Sequence, residues 1–126
     1  MELRRYLIGV VDDDPRVLES MGELLAAGGY DVLLFSSPEA FLDSNGLDRV
    51  DCLISDIGMP AMTGWELLKI ARAHQRQLPV ILITARDEEY TVATSEARGA
   101  RHLFRKPFNG KELLNALETI LKQQET

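Results

Sequence analysis

Short apolar runs alternate along the chain with segments of helical periodicity. Leu7-Ile8-Gly9-Val10-Val11, Val32-Leu33-Leu34-Phe35, Cys52-Leu53-Ile54 and Val80-Ile81-Leu82-Ile83 are continuously apolar, the pattern of strands buried on both faces of a parallel sheet. A fifth strand is expected from Arg101 to Arg105, where Leu103 and Phe104 are apolar. Val17, Leu18, Met21, Leu24 and Leu25 recur at helical spacing, and Leu113, Leu114, Leu117, Ile120 and Leu121 repeat it, so both segments predict amphipathic helices. Pro15 suits the first turn of the first helix and Gly28-Gly29 its end. Ser37-Pro38 marks the start of a short second helix, and Thr63 and Asn109 are N-cap residues for the third and fifth. The fourth helical segment, from Asp87 to about Arg98, offers only Tyr90, Ala93 and Ala97 to a core, which predicts weak burial and comparatively high mobility.

Five strands alternating with five helices describe an open three-layer α/β sandwich with right-handed crossovers. Composition narrows the picture. The chain has 126 residues with 14 Lys+Arg against 20 Asp+Glu, a formal charge of −6, 45% apolar and 27% charged residues, as expected of one soluble domain. The acidic balance argues against direct nucleic-acid binding, which needs a Lys/Arg excess on one face. A lone Cys52 excludes an internal disulfide and reads as a small buried hydrophobe on the third strand. The apolar stretch from Tyr6 to Val11 is far too short to span a membrane and leads directly into Asp12-Asp13-Asp14.

In such sheets chemistry collects beyond the carboxyl ends of the strands. The first strand delivers Asp12, Asp13 and Asp14 there, the third Asp56, the fourth Thr84, and the fifth Lys106-Pro107. Carboxylates about 4 Å apart repel by roughly 4 kcal/mol per pair at an effective dielectric near 20, so such a cluster holds protons or a cation. A hard divalent ion is the fitting partner for oxygen donors without His or Cys, and Mg²⁺ favours one or two carboxylates completed by water and phosphate oxygens. With Lys106 as a fixed cation and the Thr84 hydroxyl as a donor, the set could neutralise a phosphoryl group carried on a carboxylate.

These residues carry a resemblance. Val11-Asp12-Asp13, then Asp56-Ile57-Gly58-Met59-Pro60 with Gly64, then Ile83-Thr84-Ala85, and finally Lys106-Pro107-Phe108 occur in order, each at a strand end. In this the chain resembles the receiver domain of bacterial two-component response regulators over nearly its whole length. Ser37-Pro38-Glu39-Ala40-Phe41-Leu42 and Thr63-Gly64-Trp65-Glu66-Leu67-Leu68 further resemble the nitrogen-fixation regulator branch. The resemblance implies a flavodoxin-like sheet of order 2-1-3-4-5 with five helices, and one receiver domain over residues 1–126 without an effector domain in this chain. It also implies Asp56 as phosphoacceptor, and Mg²⁺ or Mn²⁺ held by Asp12, Asp13, Asp56 and the Gly58 carbonyl. Thr84, the Ala85 backbone and Lys106 would bind the phosphoryl oxygens, with Asp14 just outside, and the Lys106-Pro107 bond would be cis. The donor in this family is a phosphohistidine on a sensor kinase or a phosphotransfer protein. The recipient is an effector domain or downstream protein, the location is cytoplasmic, and phosphorylation-promoted dimerisation through the fourth helix and fifth strand is a family habit. Thr84 and Leu103 take the switch positions; the family has an aromatic ring where this chain has Leu103.

Simpler readings stand beside these. Asp12 to Asp14 could serve only as helix caps, but capping explains neither Asp56 nor Lys106. Trp65 reads as packing, and His74 and His102 as isolated surface or edge residues. Gly110-Lys111 has Arg105 where a phosphate loop would need its first glycine. An aspartate-nucleophile phosphohydrolase using Asp12 and Asp14 would need a metal-binding Asp after the Lys, and residues 107 to 126 contain no Asp. A phosphorylation-independent interaction module of the same fold is the other alternative.

Overall fold

A computed structural model of the chain describes residues 5–74, 77–85 and 92–124. Its framework is five parallel strands: β1 (Leu7–Val11), β2 (Asp31–Phe35), β3 (Cys52–Asp56), β4 (Val80–Thr84) and β5 (His102–Arg105), in the order β2-β1-β3-β4-β5. Order reverses after β1, so β1 and β3 lie side by side, paired from Ile8 with Cys52 to Val11 with Ser55. The continuous apolar runs of β1, β3 and β4 have the expected cause, but that of β2 does not: β2 is an edge strand with no fully buried residue, and Leu34 is 43% exposed. Alternate residues of β3 and β4 enter opposite layers, Leu53, Val80 and Leu82 on one face and Cys52, Ile54, Ile81 and Ile83 on the other. Leu103 and Phe104 divide in the same way.

Two helices, α1 (Pro15–Ala27) and α6 (Gly110–Gln124), cover one face through Met21, Leu25, Leu113, Leu117, Ile120 and Leu121. The other face receives α2 (Pro38–Asp43), α3 (Gly46–Arg49) and α4 (Gly64–His74), which contribute Phe41, Leu47, Leu67, Leu68 and Ala71. With α5 (Val92–Ala97) the described residues hold six helices, where the sequence pattern predicts five. The predicted second helix stops at Asp43 because Asn45 enters the left-handed region at φ 65°, and the chain restarts as the single turn of α3. Gly46 permits that restart, since a Cβ there would collide with the Phe41 ring. Of the predicted fourth helix, Val92–Ala97 is helical with only Ser95 buried; residues 87–91, Tyr90 included, lie outside the described residues.

The expected caps are in place. Asp14 accepts from the Arg16 amide at 2.9 Å, Ser37 from Ala40 at 3.1 Å, and Asn109 from Glu112 at 3.1 Å. Thr63 and Glu66 form a reciprocal box, the Glu66 amide donating to the Thr63 hydroxyl at 3.2 Å and the Thr63 amide to the Glu66 carboxylate at 3.0 Å. Gly64 follows, and the Ile57 carbonyl accepts its amide at 2.9 Å. This close approach needs glycine, because a Cβ at residue 64 would run into the Asp56 carbonyl oxygen, whereas one at Gly58 would meet nothing within 4 Å. Gly64→Ala should therefore cost about 1–3 kcal/mol of stability through overpacking against backbone, and Gly58→Ala much less, as compared by urea unfolding.

Candidate functional site

The carboxyl edge of the sheet places the acidic residues. Asp12 follows β1, where the Phe35 carbonyl accepts its amide at 3.1 Å, and Asp56 is the last residue of β3. Ile57, one residue on, donates its amide to the Ile83 carbonyl at 2.9 Å, so the loop leaving β3 stays tied to β4. Thr84 ends β4, and the Thr84 carbonyl accepts the Lys106 amide at 2.9 Å, which fixes the exit from β5. Backbone pairing between neighbouring strands thus brings together side chains that lie far apart in sequence.

Asp12, Asp13 and Asp56 each direct a carboxylate oxygen into one group whose members all lie within 4.8 Å of one another. Asp12 and Asp56 are buried and Asp13 is exposed. Asp12 is oriented at both oxygens, accepting the Asp14 amide at 2.9 Å through Oδ1 and facing Lys106 Nζ at 3.0 Å through Oδ2. Lys106 also reaches Asp56 Oδ1 at 3.3 Å, so one ammonium bridges two buried carboxylates. Burial raises the Asp56 carboxyl, Asp12 adds to the rise, and Lys106 opposes it, leaving a value of about 6. Burial alone would lower Lys106, but its hydrogen bond with Asp12 and the charges of Asp12 and Asp56 outweigh that and hold the ammonium above its ordinary value.

A cavity of about 350 Å³ opens on this group, lined by Asp13, Asp56, Gly58, Thr84, Ala85 and Lys106. Asp14 also reaches its wall, although its carboxylate caps α1 and pairs with Arg16 at 3.3 Å. The Thr84 hydroxyl is buried and has no hydrogen-bond partner among the described residues. An orphaned donor of this kind costs about 1–3 kcal/mol, a cost that a ligand oxygen in the cavity would remove. Donors that are all oxygen, with two buried carboxylates beside one exposed one, fit a hard divalent cation with open positions for water or substrate.

Leu103 lies apart from the cavity, 5% exposed within the core on the α2–α4 face, and the Lys106-Pro107 bond is cis. His74 is exposed and pairs with Asp48 at 2.8 Å, while the His102 ring stacks on Phe104. Burial raises the Cys52 thiol to about 12, which makes it an inert core residue. Trp65, expected mainly to pack, also lines the cavity together with Thr63. Its position at the start of the helix that follows the Asp56 loop is the sequence signal that could have placed it there.

Comparison with known proteins agrees with this geometry. Residues 8–118 match the family model of the response regulator receiver domain. The chain is 33% identical over 118 residues to the transcriptional regulatory protein FixJ of Bradyrhizobium diazoefficiens, covering 94% of this chain and 58% of that protein. It is 36% identical over 122 residues to the response regulator protein TmoT of Ectopseudomonas mendocina, covering 97% of this chain and 56% of the relative. The chain therefore spans little more than half the length of these relatives. Among solved structures, a response regulator from Chloroflexus aurantiacus superposes with a TM-score of 0.86 at 30% identity, covering 94% and 99% of the two chains. The beryllofluoride-activated DrrB receiver domain superposes at 0.84 with 27% identity, covering 94% and 99%.

The electrostatics carry a pH signature. Because the Asp56 carboxyl titrates near 6 in the folded chain against 3.8 as its ordinary value, its protonation stabilises the fold. That contribution is complete below the unfolded value and is lost as pH rises through about 6. In metal-free buffer at pH 7.5, Asp56→Asn should be the more stable protein, by up to roughly 3 kcal/mol. Its advantage over the wild type should shrink as pH falls to 5, as measured by paired thermal melts.

Proposed function

The chain belongs to the response regulator receiver family, and from that premise we propose that it takes a phosphoryl group from a sensor histidine kinase or phosphotransfer protein onto Asp56. The observation that carries this reading is the cavity in which buried Asp56 meets Lys106 at 3.3 Å beside the unsatisfied Thr84 hydroxyl. In the transfer a carboxylate oxygen of Asp56 attacks phosphorus, the bond from phosphorus to the donor nitrogen breaks, and an acyl phosphate forms; attack by water later returns inorganic phosphate and the carboxylate. Lys106 offsets charge on the phosphoryl oxygens while remaining paired with Asp12. The Thr84 hydroxyl and the Ala85 amide, held near Asp56 by the strand ends, donate to those oxygens as they arrive.

Asp12, Asp13, Asp56 and the Gly58 carbonyl are the groups that would hold Mg²⁺ or Mn²⁺. When bound, the ion supplies charge neutralisation at the phosphoryl oxygens. The same reading places the protein in the cytoplasm as a switch, consistent with the absence, among the described residues, of any helix long and apolar enough to cross a membrane. Its recipient is an effector domain or a downstream protein, and phosphorylation promotes dimerisation through α5 and β5. Thr84 is the switch residue that senses the phosphoryl group. Leu103, which has no hydroxyl and no ring to rotate, supports β5 by packing.

Acetyl phosphate tests the transfer without a kinase. Intact-mass spectrometry should show one added phosphoryl group with Mg²⁺, none with EDTA and none in Asp56→Asn. Labelling of Asp56→Asn at an undiminished level would overturn the assignment, and a wild type that never labels would leave an interaction module of the same fold. Asp13→Ala should weaken Mg²⁺ binding and raise the melting temperature of the metal-free protein, since it removes a like charge from the cluster.

Removing the two switch-position side chains should have separable effects. Thr84→Ala should still label at Asp56 yet lose most of the change in amide exchange that beryllofluoride produces across residues 84–106. Leu103→Ala should lose about 2–5 kcal/mol of stability, as expected for a buried large-to-small change, and keep that response.

A further inference from the structure

The chain carries a formal charge of −6, yet one cleft on its surface has the opposite sign. This cleft, of about 390 Å³, is lined by Trp65, Glu66, Leu68, Lys69 and Arg72 of α4 and by Arg98, which directly follows α5. Three cations thus face one carboxylate, and that carboxylate is engaged in the helix cap, where it accepts the Thr63 amide at 3.0 Å. Lys69 is exposed and makes no ion pair among the described residues. Arg98 is exposed as well and pairs with no carboxylate among them. Its guanidinium instead lies over the Trp65 indole, 3.9 Å from the centroid, which fixes the group while leaving its in-plane N–H donors open to an acceptor. The stem of Arg72 is held against Gly99, where a Cβ would sit 3.1 Å from Arg72 Cδ. Burial lowers the Arg72 guanidinium from its ordinary value, and the neighbouring charge of Arg101 adds to that.

We propose that the cleft between α4 and α5 is a docking site for an acidic peptide segment of a partner protein, whose carboxylates pair with Lys69 and Arg98. Length favours a peptide over a small anion. From Trp65 to Arg72 the wall runs two turns of α4, about 10 Å at 1.5 Å per residue, which is the span of about three residues of extended chain. Charge favours a peptide over a nucleic acid, because Glu66 lines the cleft and a long phosphate backbone would meet the acidic remainder of the surface. The cations are partly preorganised: Arg98 rests on the indole and Arg72 on Gly99, so less side-chain freedom is lost when a carboxylate arrives. Tryptophan and arginine side by side are also the residue types that concentrate binding energy at protein interfaces. An acidic chain repels an acidic peptide everywhere else, so the interaction is confined to this cleft and weakens as salt is added.

Fluorescence anisotropy of a labelled glutamate-rich peptide tests the docking site, with wild type, Lys69→Glu, Arg98→Glu and Lys122→Glu compared at low salt. Lys122 serves as the control, since its side chain is 71% exposed on α6 and its reversal changes the net charge by the same amount. Thermal melts establish that each variant is folded. The wild type should bind the peptide saturably and should not bind its glutamine counterpart. Lys69→Glu and Arg98→Glu should each weaken binding at least about fivefold, as expected when an exposed attraction becomes a repulsion, while Lys122→Glu binds like the wild type. Trp65 emission should shift as the peptide binds. Absence of binding to the wild type, or equal weakening in all three variants, would overturn the proposal. So would tighter binding of a single-stranded oligonucleotide that depends on Lys69 and Arg98. A dimer in sedimentation that Lys69→Glu dissolves would seat a second copy of the chain in the cleft and overturn it as well.

Discussion

Three carboxylate groups within 4.8 Å of one another, with one ammonium among them, are the constraint around which this molecule is arranged. Left to themselves the charges would spread apart or take up protons, and the Asp56 carboxyl, raised by burial first and by Asp12 second, stands at about 6. What keeps them together is backbone. Each stands at or just beyond the end of a strand whose hydrogen bonds to its neighbours are fixed by a core buried on both faces, so the energy that holds the cluster comes from apolar packing elsewhere. The cluster is a local conflict placed where the fold is stiffest.

That stiffness is uneven around the sheet. β3 and β4 are buried at every residue, and α1 and α6 seal one face with large apolar side chains. On the other face α4 is locked to the Asp56 loop by the Gly64 contact and the Thr63–Glu66 box, whereas α5 carries a single buried side chain. A rigid edge carrying the acidic cluster thus stands beside a helix held by little buried side-chain surface. Trp65 stands where these regions meet, packed against the rigid core and carrying the guanidinium that follows the loose helix.

The comparisons and the geometry bear on different parts of the problem. Family membership rests on residues 8–118 taken together, and the superpositions reflect a sheet order and layer arrangement common to many chains. The orphaned Thr84 hydroxyl and the two-pronged Lys106 contact belong to this chain's own side chains, and the hydroxyl leaves an unused donor beside Asp56 that a ligand oxygen could take.

The sequence by itself determined the strands, most caps and the residues gathered at one edge. These follow from local physics: unbroken apolar runs favour strands, Pro15, Ser37, Thr63 and Asn109 act within a turn, and parallel crossovers send every strand's carboxyl end the same way, while the edge position that leaves Leu34 exposed on β2 is tertiary. Tertiary structure decided the rest. The break at Asn45 that makes two helices of one depends on how Phe41 packs over Gly46. The approach of Gly64 to the Asp56 carbonyl and the position of Trp65 between cavity and Arg98 join segments that no periodicity connects. The raised Asp56 carboxyl depends on burial and on the distance to Asp12 and Lys106, quantities that exist only once the strands are side by side.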